Sequence, residues 1–460
     1  MKTRLVYLTV LLFLAKAGPA QSVLEGYIDT ALQQNLQLEQ RQLDYRQQAA
    51  MLQEAKARLL PTLSIQARLS MARGGRAFTI PVGDLVNPVY NNLNAINQLG
   101  AGLSEDYPAF PTYPNINNVE ENFLRRQEQE TVVRLQAPVY NPVVLANRRI
   151  QEKQTQARAM GVEAFKRELV RDVKTAYFSY LQAREAMTLY KNTRDLLTEN
   201  LRTSESLYEN HQVTLDEVYA AQARLREIEQ QLAQAGQQEQ SGRAYLNFLL
   251  KRPLEARIDV DTEAGTDPNA LSLSAARQQA MAQRAELQQL DLARQATEES
   301  VSLRKAAFLP SINVQADYGI QGVDYRIDDQ SDFFLGSLVL SWKLFDRSAK
   351  HQVEQATLDV QRVQKQVEET RSRLQLQVID AWYALEAARK QQTQAEAEVE
   401  AARRAFRLVS KKYEQGQANQ LTLSDARTQM TNAEARQIIA RYNLQIRLAE
   451  LEYATSGFRF

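Results

Sequence analysis

An internal duplication is the feature that most constrains how this chain of 460 residues can fold. Two pairs of segments match each other, at offsets of 249 and 205 residues respectively: 55–67 with 304–316, and 135–141 with 340–346. Because the offsets differ by 44 residues, the first copy carries one long insertion between Ala67 and Leu135. A chain with this pattern has to build the same unit twice. We predict a first repeat at 21–265 and a second repeat at 266–460.

Within each copy the hydrophobic pattern changes from a helical period to a period of two and back. An opening helix is followed by two segments in which apolar and polar residues alternate, which predicts strands with one apolar face. These segments are 63–70 and 133–139 in the first copy, and 312–319 and 337–344 in the second. A very long helix follows in each copy, at 143–207 and 348–412, and then a short turn and a returning helix.

The apolar residues of the long helices are spaced alternately four and three residues apart, which is the period of a coiled coil. In the first copy the seam begins at Leu169 and reaches Tyr190, and in the second it begins at Leu374 and is broken by Gln392. Each repeat is therefore predicted to carry a long coiled-coil hairpin beside its two strands.

The insertion, residues 71–123, is rich in Asn, Pro and Gly, a composition typical of a loop rather than a domain. The corresponding loop of the second copy, 321–332, is short and contains four aspartates. We interpret both as surface loops. A lid or a contact with external ligands is the alternative for the longer one.

The composition argues against most enzyme classes. The chain has no cysteine and two histidines, so thiolate metal sites, cysteine nucleophiles and an H-E-x-x-H zinc site are excluded. The net charge of +1 gives no electrostatic reason to expect nucleic acid as a partner. We expect neither catalytic activity nor a cofactor nor a bound metal.

The first 20 residues have the order of a secretory signal peptide. Two basic residues precede an apolar run that ends in small residues. Cleavage after Ala17 or Ala20 fits this order, and we favour Ala20. An uncleaved membrane anchor is the alternative, but an apolar core of about ten residues is too short to span a bilayer. Export of a chain without cysteines fits a bacterial envelope protein.

Four strands of this kind cannot close a barrel within one chain, and open strand edges are not tolerated in lipid. Either the strands form a soluble sheet that packs on something else, or two or more chains pool them into one barrel. In a shared barrel the polar faces would line water and the apolar faces would meet lipid.

Three motifs together resemble the TolC family of outer-membrane efflux channels. They are the duplicated strand entry L-P-x-[LI]-x-[IV]-x-A, the strand exits P-V-Y-N and K-L-F-D, and a tyrosine–glycine helix turn: 60–67, 309–316, 138–141, 343–346 and 413–416. The resemblance extends over residues 22–457. It implies a homotrimer in which a 12-stranded outer-membrane barrel continues into an α-helical tunnel across the periplasm, with 71–123 outside the cell.

The same resemblance implies that the chain is the exit duct of a tripartite efflux or type I secretion system, a role that we state here as an expectation. A periplasmic adaptor and an inner-membrane pump would dock at its periplasmic tip and open it. The alternatives from other classes are a periplasmic adaptor or a coiled-coil envelope scaffold. The cargo is left open.

The resemblance also implies which residues form the periplasmic gate and the adaptor-docking turns. The gate set is Glu217, Tyr413, Thr422 and Asp425, and the docking set is Tyr208, His211 and Gly416. The family's gating arginine falls on Ala418, so we expect a reduced network in which Tyr413 and Glu217 bond between helices. In a trimer, Glu217 and Asp425 would each place three carboxylates around a narrowing and favour cations. Ordinary solvated helix charges are the alternative.

Overall fold

A computed structural model of the chain describes residues 22–103, 108, 110–260 and 271–458. The predicted signal peptide, 1–20, lies outside these described residues. The chain forms two compact units, and the unit that contains the sheet consists of Glu54–Ala146 and Leu303–Lys350. Each unit takes segments from both repeats, so the repeats do not fold as separate bodies. The predicted fold class, mainly helical with a small sheet, is confirmed.

Nine helices and six strands are present in the described residues. The helices are α1 Val23–Gln34, α2 Leu36–Ala57, α3 Val82–Leu103, α4 Pro142–Glu209, α5 Leu215–Leu249, α6 Leu273–Gln283, α7 Ala285–Ala306, α8 Arg347–Glu414 and α9 Gln420–Thr455. The strands are β1 Thr62–Met71, β2 Ala77–Ile80, β3 Val119–Asn122, β4 Gln127–Tyr140, β5 Ser311–Gly322 and β6 Asp332–Ser341.

The two long helices repeat at the offset found in the sequence. Both α4 and α8 contain 68 residues, and each bound of α8 is 205 residues after the corresponding bound of α4. At 1.5 Å per residue each helix is about 100 Å long, far beyond the usual length of a helix in a globular protein.

The opening helix of each repeat is broken at one residue whose side chain holds a returning helix. At Asn35, between α1 and α2, the side-chain amide donates to the carbonyl oxygen of Leu249 at the end of α5. At Arg284, between α6 and α7, the guanidinium donates to the carbonyl oxygen of Ala454 near the end of α9. Leu249 and Ala454 are also 205 residues apart, so the same junction is built twice with different side chains.

The helical core follows the coiled-coil seam predicted for α4 and α8. Val173 and Val378, which occupy equivalent positions, are both 0% exposed. The prediction that Gln392 breaks the seam of α8 is wrong, because the next seam positions, Ala395 and Val399, are buried. A single polar side chain does not end the seam, since the Gln392 amide turns to Glu396 on its own helix, 3.0 Å away.

Four strands form one antiparallel sheet in the order β1-β4-β5-β6. In-register pairing aligns the alternation of neighbouring strands: Leu63 lies opposite Leu135, which lies opposite Ala316. As a result the sheet has an apolar face and a polar face, because successive side chains point to opposite sides of a strand. Strands β1 and β6 are the edges of the sheet within the chain.

The apolar face of the sheet is uncovered in the single chain. Large apolar side chains on it are more than half exposed, namely Leu63, Ile65, Tyr318, Phe334, Leu338 and Leu340. The polar face is cross-linked between strands, with Arg134 bonded to both carboxylate oxygens of Asp317 at 2.8 and 2.9 Å. A soluble sheet would expose the polar face and bury the apolar one.

The prediction that residues 71–123 form only a loop is wrong. The insertion contains a 22-residue helix, α3, between the two strands of a short hairpin, β2 and β3. Asn, Gly and Pro are poor helix formers, which is why composition favoured a loop. The helix is stabilised by the side chains of Asn87 and Asn94, which bond to the backbone of Ile116 and Tyr113. The shorter loop, predicted at 321–332, lies between the end of β5 and the start of β6.

Candidate functional site: the hairpin tip

The two long hairpins turn at equivalent points, and together these turns form the hairpin tip, which we define as residues 196–224 and 406–427. Both turns close in the same way. The amide of Gln212 donates to the carbonyl of Leu207, and the amide of Gln417 donates to the carbonyl of Lys412, at 2.9 and 2.8 Å. This bond from the sixth residue to the first is that of a Schellman motif, which terminates a helix.

The Schellman turn requires one residue in the left-handed region, and the two copies fill this position differently. In the second copy it is Gly416, with φ of 70°, and in the first copy it is His211, with φ of 56°. Glycine adopts this conformation without a steric penalty, whereas a residue with a Cβ does not. Both positions are exposed, as is the nearby Tyr208. The three residues predicted for docking therefore all lie on the surface of the turns.

A hydrogen-bond relay connects the two hairpins just above the turns. The Tyr413 hydroxyl donates to Oε1 of Gln420 at 2.8 Å, and Nε2 of Gln420 donates to Oγ of Ser204 at 2.9 Å. The relay thus passes from α8 through α9 to α4. Ser204 is 1% exposed, so its end of the relay is shielded from competing water.

An ion pair forms a second connection between the hairpins. Arg224 on α5 lies 2.7 Å from a carboxylate oxygen of Asp425 on α9. Asp425 is 56% exposed at its side chain, so solvent screens this pair and its net contribution is small. The negative charge of Asp425 is nevertheless balanced by Arg224. The prediction from the sequence had treated Asp425 as an unpaired carboxylate in a ring of three.

A cavity of about 230 Å³ lies between the hairpins at the same level. Helices α4, α5, α8 and α9 all contribute to its lining, which includes Tyr413, Gln420, Glu217 and Arg427. Glu217 stands in the first turn of α5, where the positive end of the helix dipole stabilises a carboxylate. The cavity is therefore lined by one acid, Glu217, and by two arginines, Arg224 from the same hairpin and Arg427 from the other.

Among the charged residues of the hairpin tip, Arg427 has the most unusual surroundings. Its guanidinium carbon lies 5.2 Å from the ring centre of Phe406, and its buried Nε has no hydrogen-bond partner among the described residues. Burial lowers the pKa of Arg427 below its usual value of 12.5, although the nearby Glu434 acts in the opposite direction. The group stays protonated at neutral pH, so a cation is held here by an aromatic face.

All four predicted gate residues lie at the hairpin tip, and three of them make contacts that the prediction did not include. Tyr413 bonds to Gln420 instead of Glu217, and Asp425 is paired with Arg224. Thr422 helps to begin α9, since its amide and hydroxyl both donate to Oδ1 of Asn419, at 2.9 and 2.7 Å. Asn419 is therefore the N-cap of α9, and Thr422 is the first-turn residue that it caps.

Four residues of the tip were missed from the sequence: Ser204, Arg224, Gln420 and Arg427. Their counterparts in the other copy, 205 residues away, are Val409, Gln429, Leu215 and Gln222 respectively. A polar residue opposite an apolar one at equivalent positions of a duplication is a signal that could have drawn attention to Ser204 and Gln420.

No cluster of three or more potential metal-ligating side chains occurs in the described part of the chain. None of the described helices is long and apolar enough to cross a membrane.

Almost the whole chain has the fold of solved outer-membrane channels. It superposes on a membrane protein from Pseudomonas aeruginosa with a TM-score of 0.77 at 18% identity, covering 95% of this chain and 93% of the other. With the CmeC outer membrane channel of Campylobacter jejuni the TM-score is 0.77 at 17% identity, over 95% and 86% of the two chains. The outer membrane protein VceC of Vibrio cholerae gives 0.74 at 15% identity, over 94% and 95%.

The second repeat carries the sequence evidence for the family. Residues 276–457 match the family model described as outer membrane efflux protein. A search of curated proteins finds no significant match. The resemblance to the TolC family is thus confirmed by a family match over the second repeat and by the fold over almost the whole chain.

Proposed function

We propose that this protein is the outer-membrane exit duct of a tripartite efflux or type I secretion system. The observation that carries the proposal is the amphipathic sheet: it has an exposed apolar face, a cross-linked polar face and two edges without a partner among the described residues of the chain. Lipid on one side and water on the other is the environment in which such a sheet is stable. The family match and the fold of the solved channels support the same function.

A barrel in the membrane has to be closed, and four strands per chain require several chains to close it. Three copies would give a 12-stranded barrel, and the edge strand β6 of one copy would pair with β1 of the next. The helices α4, α5, α8 and α9 of three copies would form the wall of a tunnel through the periplasm. The protein would be a passive channel that an inner-membrane pump and a periplasmic adaptor supply with cargo.

The hairpin tip would be the periplasmic end of this tunnel. We propose that the exposed turns at Tyr208, His211 and Gly416 contact the adaptor. The relay through Tyr413, with the acids Glu217 and Asp425, would hold the tip closed until docking. Thr422 would contribute by fixing the start of α9.

The alternative of a periplasmic adaptor or a coiled-coil scaffold is not favoured. Either of these proteins would be water-soluble and would have no use for a row of exposed apolar side chains along a four-stranded sheet. The chain also contains two complete hairpins, whereas an adaptor is expected to have one.

Two neighbouring residues of β6 provide a matched test of the membrane assignment. Leu338 lies on the apolar face and is 71% exposed, while Ser337 points to the polar face. A lysine at the bilayer midplane of a barrel costs about 2–4 kcal/mol on the lipid side and is tolerated on the water side. We expect Leu338→Lys to lose most of its outer-membrane assembly in a Gram-negative host, and Ser337→Lys to assemble like the unmodified protein. Equal assembly of both variants would refute the channel.

Imaging tests the architecture directly. The full-length chain would be expressed in a Gram-negative host, extracted from the outer membrane in detergent and examined as single particles. We expect a hollow particle with three-fold symmetry and a helical tunnel of about 100 Å, from the rise per residue of α4. A water-soluble particle, or one without a lumen, would favour the adaptor or scaffold.

A further inference from the structure

Helix α3 of the insertion is attached to its own chain by its polar face. Asp84, Asn87 and Asn94 are spaced by three and seven residues and lie on one side of the helix. Their side chains bond to the extended segment 113–118. Asn87 exchanges two bonds of 2.9 Å with the backbone of Ile116, and Asn94 exchanges bonds of 2.7 and 2.9 Å with the backbone of Tyr113.

Two further contacts fix how the helix is rotated against that segment. The ring of Tyr90 stacks on the ring of Tyr113 with centroids 5.1 Å apart. At Gly83 a Cβ atom would lie 2.4 Å from the carbonyl oxygen of Ile116, so only glycine permits this approach. The helix therefore cannot turn its polar face outward without losing these contacts.

The opposite face of α3 is a regular heptad seam, and it is exposed. Its positions are spaced four, three, four, three and four residues apart: Leu85, Val89, Asn92, Ile96, Leu99 and Leu103. The five apolar members are between 55% and 86% exposed. An exposed stripe of this kind costs free energy in water and marks a surface that another molecule covers.

The charges of α3 indicate what covers the seam. The helix contains no Lys or Arg, and its one charged residue, Asp84, lies on the face bonded to the segment 113–118. Helices that lie on membranes carry basic residues for anionic headgroups, so lipid is a poor match. A strict heptad with Val89 and Ile96 at equivalent positions, seven residues apart, matches the same seam of an identical helix.

The position of the insertion brings copies together. It directly follows β1, which is an edge of the sheet in this chain. In a shared barrel this edge pairs with a neighbouring copy, so the insertions of all copies emerge at one end of the barrel. We propose that the α3 helices of the copies pack along this seam into a coiled coil over the outer mouth of the channel. This proposal rests on the proposed function for the presence of three copies.

Cross-linking can test the seam because the chain has no cysteine of its own. Ile96→Cys places a thiol in the seam, and Gln98→Cys, two residues further on an exposed part of the other face, is the matched control. Each variant would be oxidised in detergent-extracted outer membranes and separated by denaturing gel electrophoresis. We expect dimer-sized bands from at least half of the Ile96→Cys chains and fewer than a tenth of the Gln98→Cys chains.

The outcomes separate this proposal from the proposed function. A trimeric particle in which Ile96→Cys does not cross-link, or cross-links no more than Gln98→Cys, would overturn the coiled coil and leave the channel standing. A monomeric particle would refute the shared barrel and the coiled coil together. As a further measurement, a fluorophore on Ile96→Cys in liposomes should resist quenching by brominated phospholipids. Strong quenching would show that lipid covers the seam and would also overturn the proposal.

Discussion

The relay between the hairpins should control how often the tip opens. Gln420 bonds at the same time to Tyr413 and to Ser204, so its side chain joins three helices. Replacing Gln420 by leucine, the residue at the equivalent position of the first copy, keeps a similar volume and removes both bonds. Each hydrogen bond of this kind contributes about 1 kcal/mol net, so the closed tip should lose about 2 kcal/mol per chain. For the tip of one chain this corresponds to a change of about 30-fold in the ratio of open to closed states, and three tips that open together would multiply the effect.

The assay is the open probability of single channels in planar bilayers, without adaptor or pump. Gln420→Leu should raise the ratio of open to closed time at least about 30-fold, and Tyr413→Phe, which removes one bond per chain, should raise it at least about fivefold. Gln429→Leu, an exposed glutamine on the same helix, is the matched control and should leave it unchanged.

The same recordings distinguish the relay from the sequence hypothesis. If a bond between Tyr413 and Glu217 held the gate, Glu217→Ala would open the channel as strongly as Tyr413→Phe. The relay instead places the Tyr413 hydroxyl on Gln420. An open probability of Gln420→Leu within twofold of the unmodified channel would refute the reasoning.

Three further predictions concern stability and are measured by thermal or denaturant unfolding in detergent. His211→Gly should stabilise the protein by about 1 kcal/mol, because glycine removes the steric cost of the left-handed turn; a lower melting temperature would contradict this. Arg284→Ala should cost about 3–5 kcal/mol, since the Arg284 side chain is 3% exposed and its loss removes the guanidinium that pairs with Glu286 and bonds two helix-end carbonyls. Asn35→Ala at the equivalent junction should cost less, and an equal cost would argue against the role of charge. Burial and Glu185 raise the pKa of Tyr442 to about 12, so folding favours its neutral form. This stabilisation is fully present below pH 10 and is lost as the pH rises from 10 to 12. The Tyr442→Phe variant should therefore lose less stability over that range. A variant with the same pH profile as the unmodified protein would contradict this prediction.

Much of the fold could be predicted from the sequence because the patterns that indicate it are local and periodic. Alternation with a period of two predicts a strand with two different faces, and a spacing of four and three predicts a coiled-coil seam, whatever the rest of the chain does. Because of the duplication, the pattern of each repeated helix and strand occurs twice in the sequence. The long helices consequently lie within two residues of the predicted bounds, at Pro142–Glu209 and Arg347–Glu414.

The partners of individual side chains at the tip could not be read in this way. Whether Tyr413 bonds to Glu217 or to Gln420 depends on which helices are neighbours and how each is rotated, and the sequence pattern of one helix contains neither fact. For the same reason the sequence did not identify Arg224 as the partner of Asp425. An exposed acid and an ion-paired acid have the same sequence context.

The insertion shows the two kinds of information most clearly. Comparison of the two copies shows that this segment belongs to one copy only, and the heptad spacing from Leu85 to Leu103 is visible in its sequence. Its composition nevertheless predicted a loop, because Asn, Gly and Pro are unfavourable in isolated helices. The helix forms because bonds from Asn87 and Asn94 to residues 113–118, which are distant in sequence, supply the stabilisation that the local sequence lacks. Local periodicity fixes which face of an element is apolar, and packing between distant segments decides what each face meets.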